Sequence, residues 1–312
     1  MSDDRKTRLD ARAVWLLLGC CALWGLGQVA TKTALAEIPP LTQAALRSAG
    51  AALLLLAWMR WRGLPLALDD GTLRAGVLAG LLFAAEFACI FAGLQYTTAS
   101  RMSVFIYVAP FVVALGMPLV ARAAGGGGET LRGLQVVGLV AAFGGVVWAF
   151  AEGFVRPAAG PRQWIGDALG IAGAVLWAAT TLTLRATSLA RASPEKALLY
   201  QLVVSALALG LAAPLAGEAW PARVTALSLW PLAFQTVVIT FASYLVWFWL
   251  VRHYPATRIS AFTLLTPLFG LLAGVALLGE PLTPRLLVAL AAVCAGLALV
   301  NRPAPPRGGE DS

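Results

Sequence analysis

A chain of 312 residues that is 60% hydrophobic, 12% charged and of mean hydropathy +0.80 carries more apolar surface than one water-soluble core can hide, which excludes a soluble globular fold. The net charge of +8 does not point to nucleic acid, because the basic residues stand singly at the ends of apolar runs, where the positive-inside rule places them. Cys20, Cys21, Cys89 and Cys294 all lie inside apolar segments, so they read as small buried residues rather than disulfides or metal ligands, and no cofactor or metal is expected.

In chain order, Arg5, Lys6, Arg8 and Arg12 precede an apolar run from Ala13 to about Ala36. That run is too long for a signal-peptide core and no A-x-A-like site closes it, so it reads as a signal anchor behind a cytoplasmic N-terminus, residues 1–12. Ten segments are long enough to cross about 30 Å of hydrocarbon at about 1.5 Å per residue. They fall near 13–36, 41–59, 74–95, 101–121, 132–151, 164–185, 196–216, 228–251, 257–278 and 285–301. Between them stand Pro39-Pro40, Gly63 to Gly71, Gly125 to Gly128, Pro157 to Pro161, Ser193-Pro194, Pro221, Pro255 and Gly279-Glu280-Pro281, all loop chemistry. The Pro- and Gly-rich tail, 302–312, is expected to be a disordered cytoplasmic segment.

The fourth segment returns in the ninth. Arg101, Ser103, Phe105 and Pro110 reappear as Arg258, Ser260, Phe262 and Pro267 at a constant offset of 157, about half the chain. Leu23-Trp24 with Lys32 is echoed by Leu176-Trp177 with Arg185, and Pro40 by Pro194. Five spans per copy is an odd number, so successive copies insert with opposite topology. The expected fold is an all-α polytopic membrane protein of ten transmembrane helices in two inverted five-helix repeats, 13–152 and 164–301. Lys and Arg outside the spans number 16 on the N-terminal side and 5 on the other, which sets both termini in the cytoplasm. Pro110 and Pro267 each remove a backbone donor inside an apolar helix, so a bend beside a cavity is expected at both.

Three charged residues fall inside the predicted spans: Lys32, Arg47 and Glu86. Each costs about 2.5–3.5 kcal/mol at the bilayer centre on insertion scales, so each should face protein or water. Lys32 is near enough to the end of its span to snorkel. Arg47 and Glu86 lie at similar depth, about 10–12 Å from the outer helix ends, and can meet. A structural ion pair and a substrate or proton site both remain open for them. The second copy has Gln201 and Ser243 at the matching positions, so any site is chemically lopsided. Helical spacing groups Trp24, Gln28 and Thr31; Ser103, Tyr107 and Pro110; Trp177, Thr180 and Thr181; and Tyr244, Trp247 and Phe248. The candidate cavity set is Gln28, Arg47, Glu86, Tyr107, Trp177, Thr181, Tyr244 and Phe262, suited to an amphiphilic solute with an apolar side chain; packing and interfacial belts are the alternative for the aromatics. Gly125 to Gly128 lacks the lysine of a phosphate loop, and no HExxH, GxSxG or paired-cysteine motif occurs.

Five plus five spans, Trp24-Gly25 in the first, the repeated Arg101 and Arg258 segments with their interior prolines, and Gly279-Glu280-Pro281 after the ninth resemble the EamA-type, ten-span branch of the drug/metabolite transporter superfamily. The resemblance implies an inner-membrane exporter of metabolites, often amino acids, with a cavity between the repeats walled by spans one to four and six to nine. Its implied partners are a small-molecule substrate and the lipid bilayer, the chain being a monomer or weak homodimer and not an enzyme. One departure is Ala123, which stands where the second copy has Glu280. A non-transporting receptor or scaffold would need large binding loops, and the connections are short. An intramembrane enzyme would need clustered acidic residues, for which only Glu86 and Glu280 are candidates.

Overall fold

Runs of twenty or more apolar residues satisfy their own backbone only as helices in a bilayer, and the computed structural model folds them so. It describes residues 10–66, 69–123, 133–155, 157, 159–254 and 262–300, and within these all regular structure is helical. The first repeat comprises α1 (Ala11–Ala34), α2 (Pro40–Trp61), α3 (Leu73–Gly93), α4 (Ala99–Phe105) running into α5 (Ala109–Ala123), and α6 (Gly133–Val155). The second comprises α7 (Gln163–Ala186), α8 (Pro194–Leu215), α9 (Ala226–Ala233) continuing through a π-helix (Phe234–Ser243) into α10 (Tyr244–His253), then α11 (Thr266–Leu278) and α12 (Pro284–Val300).

Taking α4–α5 and α9–α10 as single spans, eight helices among the described residues are long and apolar enough to cross a membrane, and α11 and the apolar part of α12 are two shorter ones. The described span boundaries agree with those read from the sequence to within four residues, the widest gap being Val155 against 151. The expected starts of the ninth span and of its Arg258 and Ser260 echo, the glycine run at 125–128, and the tail 302–312 lie outside the described residues.

Local chemistry sets the helix ends. Asp10, Thr98, Ser193 and Thr225 place side-chain oxygens on the first free amides of α1, α4, α8 and α9. Pro40 and Pro194 occupy first-turn positions whose N–H would be unpaired anyway. Gly279 ends α11 at φ +63°, a left-handed conformation that glycine adopts without penalty.

Pro110 cannot donate to the carbonyl four residues back, Ile106. That carbonyl instead accepts from Ala109, and residues 106–108 tighten into a 3-10 turn. Pro267 repeats the arrangement: Thr263 accepts from Thr266, and residues 263–265 form the turn.

The repeats interlock rather than lie side by side. α1 packs on α11, α2 and α3 on α8, α3 on α7, α4 on α11, and α6 on α12. At the α1–α11 crossing a Cβ on Gly25 would stand 2.6 Å from the Gly270 amide nitrogen, so the backbones touch. The central cluster gathers Ile90, Phe91, Met102, Phe105, Tyr107 and Phe111, while Trp61, Val140, Leu211 and Leu215 point outward, as a lipid solvent allows. The end of the bundle where α1 begins is the near end, and the opposite end is the far end.

Candidate functional site

At the far end, carboxylates of one repeat cap helices of the other. Glu280 accepts from the backbone N–H of Ala99 (2.7 Å) and Ser100 (2.8 Å) and from the Ser100 hydroxyl (2.7 Å) at the start of α4. Glu218 does the same for α2, through Leu41 N–H (2.9 Å), Thr42 N–H (2.8 Å) and the Thr42 hydroxyl (2.9 Å). In the reverse direction Glu37 accepts from Thr225 N–H and hydroxyl, both 2.7 Å, and from the Ser228 hydroxyl at the start of α9. Three helix N-termini thus meet three anions, the arrangement that partial positive charge at a helix start favours. The hydrogen bonds from Ser228 and Thr225 hold the Glu37 carboxyl below the usual range.

Beside this seam lies a buried ionic cluster that sequence reasoning missed. Arg101, read from sequence as a helix-end marker, is only 2% exposed. Its Nε donates to Asp167 Oδ1 at 3.1 Å and its Nη2 to Asp167 Oδ2 at 2.6 Å, Nη1 donates to Glu152 at 2.9 Å, and Nη2 also reaches the Ala149 carbonyl at 2.6 Å. Thr97 donates to Asp167 (2.5 Å) and Thr283 to Glu152 (2.8 Å). Asp167, 0% exposed inside the predicted sixth span, was missing from the count of three, and Arg101 and Glu152 also lie within the observed helices. An acidic residue within the predicted sixth span was the available signal. Lys32 turns inward and donates to the Leu94 carbonyl at 3.4 Å and to that of Thr97, at the C-terminal end of α3.

The middle of the bundle is different. Arg47 and Glu86, each 5% exposed, form no ion pair within 4.0 Å; Arg47 Nε and Nη2 and Glu86 Oε2 have no hydrogen-bond partner. The Arg47 guanidinium lies 3.7 Å from the Phe87 ring centre and 5.1 Å from that of Phe91. Arg47, Glu86 and Tyr244 are near enough to interact electrostatically, as are Tyr244 and Tyr107. Tyr107 is buried and meets Trp177 edge-on at 5.7 Å. Tyr244 packs against Trp24 and Phe248, each at 6.3 Å.

Among the other expected cavity residues, Gln28 is half-buried with its Oε1 unpartnered. Thr181 bonds back to the Trp177 carbonyl at 3.0 Å, which satisfies its hydroxyl. Phe262 joins a separate near-end cluster with Ala13, Leu17, Leu250 and Tyr254, and its carbonyl accepts from Cys21 Sγ at 3.2 Å. Pro110 is half-buried and Pro267 buried.

The π-helix adds residues that sequence spacing did not single out. Gln235, in the first turn, accepts from Thr31 at 3.1 Å, and Gln43 donates to the Thr31 carbonyl at 3.2 Å. Gln43 Oε1, Gln235 Nε2 and Thr240 Oγ1 have no partner. Ser243, the last π-helical residue, accepts from the Trp24 indole at 2.9 Å.

At the near end Lys196 pairs with Asp70 at 2.5 Å, Thr72 and Tyr200 share a hydrogen bond of 3.1 Å, and Tyr254 donates to both Asp10 oxygens at 3.0 Å. Lys196, then Thr72, pull the Asp70 carboxyl down to about 2. An apolar groove of about 300 Å³ lined by Ala22, Leu26, Phe269 and Leu272 among others lies on the face of α1 opposite Trp24 and Thr31, and offers nothing to a polar solute. Among the described residues no three His, Cys, Asp or Glu side chains converge as metal ligands.

Residues 11–151 and 164–302 each match the sequence model of the EamA-like transporter family. The chain is 28% identical over 290 residues to "Uncharacterized transporter YvbV" of Bacillus subtilis, spanning 90% of this chain and 89% of that protein. It is also 28% identical over 298 residues to "Uncharacterized transporter sll0355" of Synechocystis, spanning 87% and 84%. A third similar protein, "Uncharacterized transporter" of Archaeoglobus fulgidus, is 26% identical over 262 residues, covering 84% and 87%. A solved structure described as "Crystal structure of protein" superposes with a TM-score of 0.62 over 93% of this chain and 97% of that one at 20% identity, a likeness of fold.

Proposed function

This chain belongs to the EamA-like transporter family, and from that premise we propose that it is a secondary active transporter that exports small metabolites, amino acids or related amphiphilic compounds, by alternating access between its two five-span repeats. The observation that carries the reading is the contrast between charged groups at the ends and in the middle, for among the amides Gln43 Oε1 and Gln163 Nε2 near the far end are unpartnered as well. At both ends polar groups of one repeat bond to the other. In the middle Gln28, Arg47, Glu86 and Gln235 keep polar atoms without protein partners. Polar atoms buried unpaired are costly, and a solute crossing at the midplane is the partner such groups serve. The aromatic surroundings of Tyr107, Trp177 and Tyr244 favour a solute with an apolar, even aromatic, side chain.

The 16-to-5 distribution of Lys and Arg supports a cell (inner) membrane protein with both termini cytoplasmic and the far end outside. The moving bodies are the repeats, residues 13–152 and 164–301. Purified protein in liposomes loaded with radiolabelled L-phenylalanine or L-leucine should release the label faster than protein-free liposomes do, and faster again with unlabelled amino acid outside. Release no faster than the protein-free control for every amino acid tried would sink the substrate reading.

A further inference from the structure

We propose that Arg47 and Glu86 are the two ligating ends of a site for a zwitterionic α-amino acid, Arg47 taking its carboxylate and Glu86 its ammonium group. The inference rests on the transport reading above and adds the charge pattern the site selects.

The protein contains its own reference for a structural arginine. In Arg101 every guanidinium nitrogen has a protein acceptor, and the Nε–Nη2 edge holds the Asp167 carboxylate side-on, Nε donating to Oδ1 and Nη2 to Oδ2. In Arg47 that same edge, Nε and Nη2, has no partner, although the residue is 5% exposed. Two parallel N–H groups on one edge of a planar guanidinium match the two oxygens of a carboxylate, and no protein carboxylate occupies that edge. Stacking on Phe87 at 3.7 Å fixes the guanidinium plane and leaves its edges for ligation.

Glu86 is the complementary half. It is 5% exposed, its Oε2 has no donor, and the cation whose field it feels is Arg47, beyond ion-pair distance. Depth agrees as well. Arg47 lies seven residues inside α2 from Pro40 and Glu86 seven residues inside α3 from Gly93, about 10 Å from the far end in each case. Two opposite charges at one depth, close but not joined, fit a ligand that presents an acceptor to one and a donor to the other.

Charge balance narrows the class. With Glu86 ionised, as an ammonium ligand would hold it, Arg47 and Glu86 together are neutral, and so is a zwitterion, so occupancy adds no net charge at membrane depth. An amine without a carboxylate, or an acid without an amine, leaves one buried charge uncompensated. The matching positions of the second repeat are occupied by neutral residues with protein partners: Gln201 donates to the Ala197 carbonyl at 3.1 Å and Ser243 accepts from Trp24. The charged pair therefore belongs to one repeat only, and the ligand has a single polarity in the site.

The test is the shift in thermal unfolding midpoint of detergent-purified protein with each of the twenty proteinogenic L-amino acids, then with the methyl ester and the N-acetyl derivative of the best of them. The expected result is half-maximal stabilisation by the free amino acid at a concentration at least about tenfold lower than by either derivative. Arg47→Gln should abolish the advantage over the ester while keeping that over the N-acetyl compound, and Glu86→Gln should do the reverse. No stabilisation by any amino acid, or equal stabilisation by the wild-type protein with acid, ester and N-acetyl compound, overturns the proposal even if neither variant folds. Equal weakening of all three probes in both folded variants overturns it too. Liposome transport is read separately. Protein that moves only solutes lacking one of the two charges defeats this inference and leaves the transport reading standing, whereas protein that binds zwitterions and moves nothing does the opposite.

Discussion

Arg101 and Arg47 carry the same side chain into the same bilayer. Arg101 neutralises Asp167 and Glu152, so replacing it leaves two buried carboxylates facing one another. Arg101→Lys keeps the charge but loses the planar fork, and a lysine cannot reach both acids side-on. Arg101→Gln, which removes the cation altogether, is expected to cost about 3–5 kcal/mol of stability, the range for breaking a buried ion pair, seen as a lowered unfolding midpoint in detergent, with Arg101→Lys between it and the wild type. Arg47→Lys breaks no protein hydrogen bond and should leave that midpoint close to the wild-type value. Asp70 supplies a pH signature at the near end. Its carboxyl is depressed to about 2 by Lys196 and Thr72, below the value of about 3.9 expected in an unfolded chain. The contribution is therefore present above about pH 4 and is lost as pH falls toward 2, with the unfolded state binding the proton first. Wild-type protein should lose unfolding midpoint across that window more steeply than Asp70→Asn; parallel curves would count against the pair.

At the scale of elements, each matched proline acts through a carbonyl it cannot serve, and the fold answers with a 3-10 turn at 106–108 and again at 263–265. The first of these turns contains Tyr107, so the proline sets the register of a ring that meets Trp177. The eighth span breaks the symmetry of the repeats. It runs as a π-helix from Phe234 to Ser243 where the corresponding part of α3 is regular, and π-helical segments recur at functional sites because they re-aim side chains. Close approach is the other device of the elements. Gly25→Leu would drive a side chain into the backbone of Phe269 and Gly270 and should destabilise by at least about 1–3 kcal/mol, the usual cost of overpacking. Gly144→Leu, with nothing within 4 Å of its Cβ position, should change the midpoint little.

For the whole molecule, the alternating access proposed above requires the far seam to part. Its contacts cross between repeats in both directions, Glu37 toward α9 and Glu218 and Glu280 toward α2 and α4. Combining Glu37→Gln with Glu218→Gln weakens the charge-assisted caps while preserving size. In a background lacking the four native cysteines, a Gln43→Cys reporter, fully buried in the closed seam, should then react with a membrane-impermeant maleimide at least about fivefold faster, a population shift of about 1 kcal/mol. Unchanged labelling would mean that the caps do not hold this end shut.

Ten spans, those of their ends that the structure describes, the two repeats and the family were legible along the chain, because hydropathy, proline and charge at helix ends are local properties that need no partner to be recognised. So were Arg47 and Glu86, since a charge within an apolar run is conspicuous wherever it occurs. What the sequence could not settle was which charges meet. Arg101 and Asp167 stand 66 residues apart, and Ser100 and Glu280 stand 180 apart. Arg101 read as a helix-end marker and Glu280 as a loop acid, although both sit buried in inter-repeat contacts. Only the tertiary structure separates an arginine with every donor used from one with a free edge, because hydrogen-bond satisfaction depends on helices that the repeats bring together in space.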